Sequence, residues 1–392
     1  IMKILMAYFE NLAGLTGGLE KTLCRLSNEL TKRGHQVVIV TYDENYGRPY
    51  YPLKDAVDII NLRKDLGHKK MGIGAKVIRE WARLKGKESY GRWKESQRQG
   101  IIKDIIDTYK QINPDVTLAY NHRTMGELYR AGICSHVIAM FRNDPQQLCQ
   151  QMTKLQIKSI EDAAAVQVLL PSYKSTISKY ISNPNIVCIP NAIEQAGQLA
   201  DIGKHPRPFT ILNVARFNKK QKRQMLLVQA FALLADEYPD WQGKIWGGGE
   251  ESYKHEIEKV IRKNHLANRV LLMGRTPQIK SEYLKADIFC FPSRFEGFPN
   301  ALGEAMTSGL PCVVCNDCQA CSDLVTDGIE GINSEPTADA IAEKLKFLMK
   351  NVELRIQMGQ KAHERMIEFR PETIWNQWED LIISVGKEEK TI

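Results

Sequence analysis

Two glutamates flank a tight turn in the segment RFEGFPNALGEAM, residues 294–306. Glu296 precedes the Gly-Phe-Pro-Asn turn, and Glu304 stands one turn into the helix predicted to follow it. Carboxylates accept hydrogen bonds from hydroxyl groups, so the pair is suited to hold two sets of ligand hydroxyls. The structural alternative is one glutamate that caps the helix and a second one that faces solvent.

The helix start between the two glutamates is a candidate anion site. Asn300 is a good N-cap residue, and residues 301–303 would form the first helical turn. The N–H groups of such a turn, together with the positive end of the helix dipole, attract a phosphate or a developing oxyanion. The site therefore has a carboxylate that accepts hydrogen bonds from hydroxyls on each side of an anion site. This arrangement fits a ligand with sugar hydroxyls at both ends and phosphate between them. A nucleotide diphosphate sugar has this layout.

A second group of charged residues lies in the segment NVARFNKKQKRQ, residues 213–224. A buried strand is predicted to end at Val214, so Arg216 follows in a turn and Lys222 lies just before the next helix. Arginine binds phosphate oxygens as a fork, and lysine binds them as a point charge. We therefore expect Arg216 and Lys222 to project toward an anionic ligand. The alternative is a basic turn in solvent, and to that we assign Lys219, Lys220 and Arg223.

Three successive glycines, residues 247–249, follow the predicted strand KIW. Glycine has no Cβ, so a chain rich in glycine can bring its backbone close to a ligand. Gly247 and Gly248 are therefore candidate ligand contacts at a third strand end.

The sequence around these residues alternates between short apolar strands and amphipathic helices. The strand KILMAYF (3–9), a Gly-rich turn, a helix with leucines at helical spacing over 19–30 and a strand over 37–40 form a βαβ pattern. This pattern is typical of a parallel sheet. Further apolar runs continue the alternation at residues 116–119, 137–141, 166–170, 209–215, 269–274 and 286–293.

The alternation is interrupted at residues 195–208, which lack periodicity and hold two prolines and two glycines. We interpret them as a linker between a first domain, residues 1–195, and a second domain, residues 208–370. A chain of 392 residues is long enough for two cores. The two alternating halves predict two Rossmann-like doubly wound α/β domains that face a cleft, with ligands at the carboxyl ends of the strands. The last helix, about 371–392, is amphipathic and is expected to pack back on the first domain.

Several of these segments together resemble one family of enzymes. The turn ARF…K, the run GGGEE and the block PSRFEGFPNALGEAMTSGLPCVV look like the C-terminal half of the retaining glycosyltransferases of family 4, including their Glu-x7-Glu pair. PNAIE (190–194) resembles the Pro-Asn-Gly element of that family, and GLTGGLEKTLCRLSNELTKRGHQVVIV resembles its first turn and helix. The resemblance covers nearly the whole chain and implies the GT-B fold, two facing Rossmann-like domains.

The resemblance implies a role for each matching residue. Glu304 would bind the ribose hydroxyls of the donor, and Glu296 would hold hydroxyls of the transferred sugar. Arg216 and Lys222 would neutralise the departing nucleotide diphosphate, and with Glu296 they form the implied catalytic group. The other implied donor contacts are Phe298, Pro299, Asn300 and Ala301 at the turn, Gly17 and Gly18 in the first domain, and Gly247 and Gly248.

Three positions depart from the family pattern. The family spaces its arginine and lysine five residues apart, whereas Lys222 lies six residues after the arginine, so that one of the two preceding lysines could take its place. The register against the following helix favours Lys222. A family histidine after the strand 137–141 is replaced by Arg142, followed by Asn143, and both become candidate contacts to the acceptor or the reacting sugar. Ala192 replaces the usual glycine of the Pro-Asn-Gly element.

The predicted chemistry follows from the charges that develop in the reaction. Cleavage of a sugar–phosphate bond builds positive charge at the anomeric carbon and negative charge on the departing diphosphate. Preorganised cations and helix amides stabilise the second charge. No Asp-x-Asp pair occurs in the sequence, so we expect side chains to replace a divalent metal, with no cofactor. Retention of configuration is implied by the family alone.

We therefore expect a retaining, metal-independent glycosyltransferase with a nucleotide-sugar donor, a UDP-sugar first among them. The expected acceptor is a glycan or lipid-linked glycan in cell-envelope polysaccharide or glycolipid synthesis. Two alternatives stay open: a phosphorylase on the same fold, and a catalytically degenerate membrane-binding protein with the GT-B fold. The intact pair Glu296 and Glu304 argues against the second alternative.

The positive charge of the chain is concentrated in residues 63–98. That window holds twelve Lys or Arg and four Asp or Glu, a surplus of eight that equals the net charge of the whole chain, +8. Its apolar residues Ile73, Val77, Ile78, Trp81 and Leu84 are spaced for one helix face. A basic amphipathic helix with tryptophan binds anionic membrane surfaces. The alternative is a solvated helix whose apolar face is core.

We expect a cytoplasmic protein at the inner face of the plasma membrane, without a secretory leader. Nucleic acid is not expected as a partner, because no RNA- or DNA-binding motif occurs.

Four cysteines, Cys312, Cys315, Cys318 and Cys321, form a Cys-x2 ladder that superficially resembles an iron–sulfur motif. A buried strand is predicted at the first two, and side chains alternate between faces along a strand, so the four thiols would not converge. We interpret them as buried, reduced cysteines.

Overall fold

The chain divides into two compact units. The computed structural model describes residues 1–45, 47–63, 73–204 and 208–387, with the side chain of Ile73 outside the description. The first unit comprises residues 1–191 and 374–392, and the second comprises residues 192–373.

The first unit is built from a parallel sheet with helices between its strands. The strands are β1 Lys3–Tyr8, β2 Gln36–Thr41, β3 Asp58–Asn61, β4 Val116–Ala119, β5 Val137–Met140, β6 Ala165–Val168 and β7 Ile186–Cys188. The helices are α1 Gly18–Lys32, α2 Ile73–Leu84, α3 Lys87–Gln97, α4 Ile101–Ile112, α5 His122–Arg130, α6 Pro145–Cys149, α7 Lys154–Glu161 and α8 Pro171–Ile177.

The second unit repeats this plan, and one further helix ends the chain. The strands are β8 Phe209–Val214, β9 Trp241–Trp246, β10 Val270–Gly274, β11 Ile288–Phe291, β12 Cys312–Cys315 and β13 Gly331–Ser334. The helices are α9 Gln224–Leu234, α10 Glu251–Lys263, α11 Ile279–Leu284, α12 Asn300–Thr307, α13 Gln319–Leu324, α14 Ala338–Lys350 and α15 Val352–Arg365, then a 3₁₀ turn Met366–Phe369 and α16 Pro371–Lys387.

Both sheets are doubly wound. Their strand orders are β3-β2-β1-β4-β5-β6-β7 and β10-β9-β8-β11-β12-β13. All strand pairs of the two sheets are parallel. In each sheet the chain starts at a central strand and reverses direction between that strand and its later neighbour, β1 and β4 in one sheet and β8 and β11 in the other. Open parallel sheets bind ligands outside the carboxyl ends of the strands at this switch point.

The sequence patterns explain why these elements form. In β4, β5 and β6 every residue is buried, as expected for strands covered by helices on both faces. In α1 the leucines Leu23, Leu26 and Leu30 are buried, so their helical spacing marks the face that covers the sheet. Gly34 adopts φ +90° directly after this helix and lets the chain turn into β2.

The predicted linker does not separate the two units. Residues 192–204 belong to the second unit. Within them Ile202 is 4% exposed, and the N–H of Gly203 donates a hydrogen bond of 2.9 Å to Oδ1 of Asp287. A segment without helical or strand periodicity thus still finds partners on the second unit. Residues 205–207 of the predicted linker lie outside the described residues.

The last helix, α16, packs within the first unit. Ile374, Trp378, Leu381, Ile382 and Val385 are its buried side chains. On its polar side Glu379 accepts hydrogen bonds from Arg33 (2.5 Å) and pairs with His35 (3.1 Å). The Arg33 guanidinium holds the pKa of the Glu379 carboxyl below its ordinary value. Apolar burial and ion pairing therefore both hold this helix on the end of α1.

We expect Trp378→Ala to destabilise the first unit by about 3–5 kcal/mol, because it deletes a large side chain that is 2% exposed. Gln377→Ala, one position earlier on the exposed side of α16, is the matched control and should cost less than about 0.5 kcal/mol. Urea unfolding followed by tryptophan fluorescence and circular dichroism measures both. Equal stability of the two variants would contradict the docking of α16.

Candidate functional site

The second unit gathers most of the predicted site residues at its switch point. Arg216 and Lys222 lie between the end of β8 and the start of α9, and Glu296 lies in the loop after β11. The strands β8 and β11 are hydrogen-bonded neighbours, with Ile288 opposite Ile211 and Phe289 opposite Leu212. Segments far apart in sequence therefore meet at one edge of the sheet.

Lys222 and Glu296 form an ion pair, Nζ to Oε1, across 74 positions of sequence. Their side chains are 13% and 7% exposed. Gln221 adds a long contact of 3.5 Å from its Nε2 to Oε2 of Glu296, and the Lys222 ammonium lies 5.1 Å from the ring centre of Phe291. The sequence predicted separate tasks for this cation and this carboxylate, whereas the structure joins them in one buried pair.

The structure also decides which lysine of the basic turn reaches the site. Lys222 contacts Glu296, whereas Lys219 and Lys220 are exposed and Lys219 pairs with Glu256 at 2.6 Å. Arg216 is exposed, and its carbonyl oxygen accepts a hydrogen bond of 3.0 Å from the side chain of Gln224. The register that favoured Lys222 in the sequence therefore agrees with its position beside Glu296.

Arg223 is not a solvated residue of the turn, as the sequence suggested. Its guanidinium donates hydrogen bonds to the carbonyl oxygens of Pro292 (2.8 Å) and Ser293 (3.1 Å) and to both carboxylate oxygens of Asp317 (2.8 and 2.7 Å). Its backbone adopts the left-handed conformation, φ +49°, which costs about 1–2 kcal/mol for a residue with a Cβ. Four hydrogen bonds offset that cost. Arg223 thus fixes the loop that carries Glu296, and no spacing in the sequence distinguishes it from its neighbours.

The helix after the turn begins one residue earlier than its predicted cap implies. Pro299 is the N-cap of α12 and Asn300 is its first residue, so Asn300 does not cap the helix. The N–H of Asn300 donates to the carbonyl oxygen of Phe298 (2.9 Å), and Pro299 has no N–H to offer. Within the described chain, the N–H groups of Ala301 and Leu302 donate no hydrogen bond. The predicted anion site is therefore narrowed to these two amides.

The ring of Phe298 has a structural role. It is 6% exposed and packs on the ring of Phe369 with centroids 5.6 Å apart. The ring therefore packs in the second unit and is not placed to contact a ligand.

Glu304 is held by a tyrosine that the sequence did not single out. The hydroxyl of Tyr283 lies 3.2 Å from Oε2 of Glu304 and 3.3 Å from the carbonyl oxygen of Ala301. Burial, and then the nearby Glu304 carboxylate, raise the pKa of Tyr283 well above its ordinary value, so that the hydroxyl stays protonated and can donate. The two glutamates are therefore oriented by different partners, Glu296 by Lys222 and Glu304 by Tyr283.

The three glycines after β9 approach the protein itself. A Cβ on Gly247, whose φ is +150°, would overlap the carbonyl oxygen of Ala215, and a Cβ on Gly249 would overlap the backbone of Phe217. A Cβ on Gly248 would overlap the guanidinium of Arg275. The glycines let the end of β9 pack on the turn that carries Arg216. Contact of Gly247 and Gly248 with a ligand stays a prediction.

In the first unit, Gly17 and Gly18 begin α1. Gly17 is the N-cap, and a Cβ there would overlap the carboxylate of Glu20 in the first turn of the helix. Oε1 of Glu20 accepts a hydrogen bond of 3.0 Å from the hydroxyl of Tyr8. The glycine at position 17 thus makes room for a buried carboxylate at the helix start. The contact of both glycines with a donor phosphate stays a prediction.

The residues that replace the family histidine lie after β5. The guanidinium of Arg142 donates a hydrogen bond to Oδ1 of Asn191, and burial lowers the pKa of Arg142 from its ordinary value. Oδ1 of Asn143 accepts from the N–H of Asp144 (2.9 Å), and Asp144 caps α6. Asn143 therefore stabilises a turn, whereas Arg142 ties the end of β5 to the segment PNAIE.

The cysteine ladder is buried in the second unit. Cys312 and Cys315 lie on β12, Cys318 is the N-cap of α13 and Cys321 lies within it. Burial raises the pKa of the Cys315 thiol to about 12, so this thiol is protonated at neutral pH. Within residues 1–45, 47–63, 73–204 and 208–387, no group of three or more His, Cys, Asp or Glu side chains is placed to hold a metal ion.

Residues 198–365 match a family model described as "Glycosyl transferases group 1". This segment contains every predicted residue of the second unit, from Arg216 to Glu304. The protein is a glycosyltransferase. The predicted enzyme class is therefore confirmed, whereas its assignment to family 4 stays a prediction.

Two known proteins are similar in sequence to nearly the whole of this glycosyltransferase. An uncharacterized glycosyltransferase of Haemophilus influenzae is 23% identical over 373 residues, which cover 94% of this chain and 97% of that protein. The amylovoran biosynthesis glycosyltransferase AmsD of Erwinia amylovora is 22% identical over 383 residues, which cover 94% of this chain and 96% of that protein.

A solved structure supports the fold. The Anabaena protein HepE, crystallised in complex with UDP and glucose, matches with a TM-score of 0.72 and 14% sequence identity over 98% of this chain and all of the other. The predicted fold class is confirmed: the protein has two Rossmann-like α/β units with parallel sheets, as in GT-B glycosyltransferases.

We expect Lys222→Met to destabilise the second unit by about 3–5 kcal/mol, because it leaves the buried Glu296 carboxylate without its lysine partner. The double variant Lys222→Met/Glu296→Gln removes both charges and should recover most of that loss. Chemical unfolding of wild type, both single variants and the double variant gives the coupling free energy. Additive effects of the two substitutions would show that the pair is not a coupled unit.

Proposed function

We propose that the protein is a retaining, metal-independent glycosyltransferase that moves a sugar from a UDP-sugar to a glycan or lipid-linked glycan acceptor. The observation that carries the proposal is the buried Lys222–Glu296 pair at the switch point of the second unit. Around it lie an exposed arginine, Arg216, and the two helix amides of Ala301 and Leu302. A cation, a carboxylate and an anion-binding helix start are the groups that a sugar diphosphate needs.

The donor is proposed to bind with its two hydroxyl-rich ends on the two glutamates. Glu304, oriented by the Tyr283 hydroxyl, accepts from the ribose hydroxyls. Glu296 accepts from hydroxyls of the transferred sugar. Between these ends, the diphosphate meets Arg216 and the amides at the start of α12.

In this proposal Lys222 stabilises the departing diphosphate. Its pairing with Glu296 holds the ammonium in place before the donor enters, so little reorganisation is needed when negative charge develops on the leaving group. Arg223 contributes indirectly, because it fixes the backbone at Pro292 and Ser293 just before Glu296. The absence of any Asp-x-Asp pair supports a reaction in which these cations take the part of a metal ion.

The identity of donor and acceptor is supported by similar proteins. HepE was solved with UDP and glucose, which supports a UDP-sugar donor. AmsD is named for amylovoran biosynthesis, which supports a role in making a cell-envelope polysaccharide or glycolipid. Such an acceptor is expected at the cytoplasmic face of the plasma membrane.

The basic window supports contact with an anionic membrane. On α2 the apolar side chains of Val77, Ile78, Trp81 and Leu84 are 63%, 56%, 59% and 86% exposed. This face is not core, in contrast to the alternative interpretation of the sequence. Lys69 and Lys70 of the same window lie outside the described residues. Within the described ranges, no helix combines the length and hydropathy needed to cross a bilayer.

Addition of UDP should raise the melting temperature by several degrees, and Glu304→Ala should remove most of that shift because the ribose hydroxyls lose their acceptor. Glu304→Gln keeps the shape of the side chain and separates a loss of binding from a loss of folding. Glu343→Ala, a glutamate that is 74% exposed on α14, is the matched control. Differential scanning fluorimetry measures the shift. A full response of Glu304→Ala would contradict the ribose assignment.

Hydrolysis of UDP-glucose without acceptor distinguishes an enzyme from a binding protein. A transferase slowly transfers the sugar to water and releases glucose, whereas a binding protein does not. Loss of this release in Lys222→Met, with the UDP shift reduced but present, is the result expected for a group that stabilises the leaving diphosphate.

Binding to vesicles that contain phosphatidylglycerol should be salt-sensitive, because cations of the basic window attract the anionic surface. Leu84→Ser should weaken it several-fold, because Leu84 adds exposed apolar area to that contact. Leu233→Ser, a substitution of a leucine that is 57% exposed on α9, is the matched control. Sedimentation with vesicles of phosphatidylglycerol or of phosphatidylcholine alone gives the comparison. Equal binding of the two variants would rule out α2 as the contact.

A further inference from the structure

The first unit contains a cavity of about 350 Å³ that no part of the donor site uses. It lies at the switch point between β1 and β4: Arg98 in its wall donates a hydrogen bond to the carbonyl oxygen of Phe9, directly after β1, and Arg123 follows β4. A cavity of this size can enclose a monosaccharide or disaccharide. It therefore qualifies as a ligand site in its own right.

Positive charge dominates the wall of the cavity. The wall carries two carboxylates, Glu95 and Glu127, and Glu10 outside it pairs with Arg98 (3.7 Å) and Arg123 (3.2 Å), so five cations face three carboxylates. Oε1 of Glu95 accepts a hydrogen bond of 2.8 Å from Thr153. Among the described residues, Arg130 is bound by neutral oxygens, the carbonyl of Glu95 (3.1 Å) and Oε1 of Gln99 (2.7 Å). The cationic side chains are Lys87, Lys94, Arg98, Arg123 and Arg130.

The two lysines of this wall are not neutralised by a carboxylate of the described chain. Across the described chain, neither Lys87 nor Lys94 forms an ion pair. The Lys94 ammonium lies 4.4 Å from the ring centre of Tyr90, which also lines the cavity and stacks on Trp93. A cavity with such a surplus of cations favours an anion.

Glu127 indicates that the ligand also carries a hydroxyl group. This residue is 5% exposed, and its Oε1 lies 2.7 Å from Nε of Arg98, although the N–H is not well directed at it. The other oxygen, Oε2, is buried and has no hydrogen-bond partner among the described residues. A buried carboxylate oxygen without a donor is costly, so a ligand hydroxyl would be favoured there.

The wall that carries the lysines is preformed. Helix α3 lies against the start of α7, where a Cβ on Gly91 would overlap the methyl group of Thr153. Glu88 of the same helix accepts a hydrogen bond of 3.2 Å from the N–H of Lys154. These contacts fix α3, although it has no buried side chain of its own.

We propose that this cavity binds an anionic saccharide, a sugar that carries a phosphate or carboxylate group, and that this sugar belongs to the acceptor. The cations hold the acidic group, and Glu127 accepts a sugar hydroxyl. A neutral saccharide leaves the cations unused. The identification of this sugar as the acceptor rests on the proposed transferase function. The binding of an anionic saccharide to the cavity does not depend on that function.

Isothermal titration calorimetry of the full chain tests the proposal, with glucose 1-phosphate, glucuronic acid and glucose as probes. Binding of glucose 1-phosphate alone indicates a phosphorylated acceptor such as a lipid-linked sugar. Binding of glucuronic acid alone indicates an acidic polysaccharide, and binding of both supports the shared chemistry. Equal binding of all three probes, or binding of none, overturns the proposal. Since no donor is present, the outcome is independent of the UDP experiment.

Variants locate the binding. Lys94→Gln and Arg130→Gln should each weaken binding of the anionic probe about ten-fold, because each removes a cation of the wall. Lys76→Gln, on the exposed side of α2 and outside the cavity, is the matched control and should leave the affinity unchanged. Circular dichroism checks that each variant is folded. Unchanged affinity in both Lys94→Gln and Arg130→Gln would place the binding elsewhere and overturn the assignment.

Discussion

The ion pair between Lys222 and Glu296 fixes the candidate donor site, because it joins the segments that follow β8 and β11. Two charges that are removed from water need each other, so the positions of both loops are coupled. Arg223 adds four hydrogen bonds to the same loop and to Asp317. The pair therefore supplies both the local electrostatics of the site and the geometry of the backbone around it.

The supporting contacts show how a parallel sheet is adapted to hold this pair. Glycines after β9 allow the turn between β8 and α9 to pack closely, and the left-handed backbone of Arg223 ends that turn. On the far side of the loop, the buried hydroxyl of Tyr283 orients Glu304. Carboxylates, cations and amides are thus positioned before any ligand arrives, as electrostatic stabilisation of a developing charge requires.

The first unit distributes its charge differently. Of the window 63–98, Lys76, Arg79 and Arg83 lie on α2, and Lys87, Arg92 and Lys94 lie on α3, so these residues fall on two surfaces. One is the exposed apolar face of α2, and the other is the cationic wall of the cavity at the β1/β4 switch point. The excess of Lys and Arg in the sequence is therefore divided between two surfaces of the first unit, and each is the basis of a separate proposal.

The sequence by itself determined the alternation of strands and helices, the two Rossmann-like halves and the segments that carry Glu296, Glu304, Arg216 and Lys222, because periodicity and strand ends are local properties. It placed the helix cap on Asn300, treated the segment after residue 195 as a linker and dismissed Arg223. Only the tertiary structure decided the Lys222–Glu296 pair, the Tyr283–Glu304 contact and the cavity around Glu127, since each depends on which distant strands become neighbours.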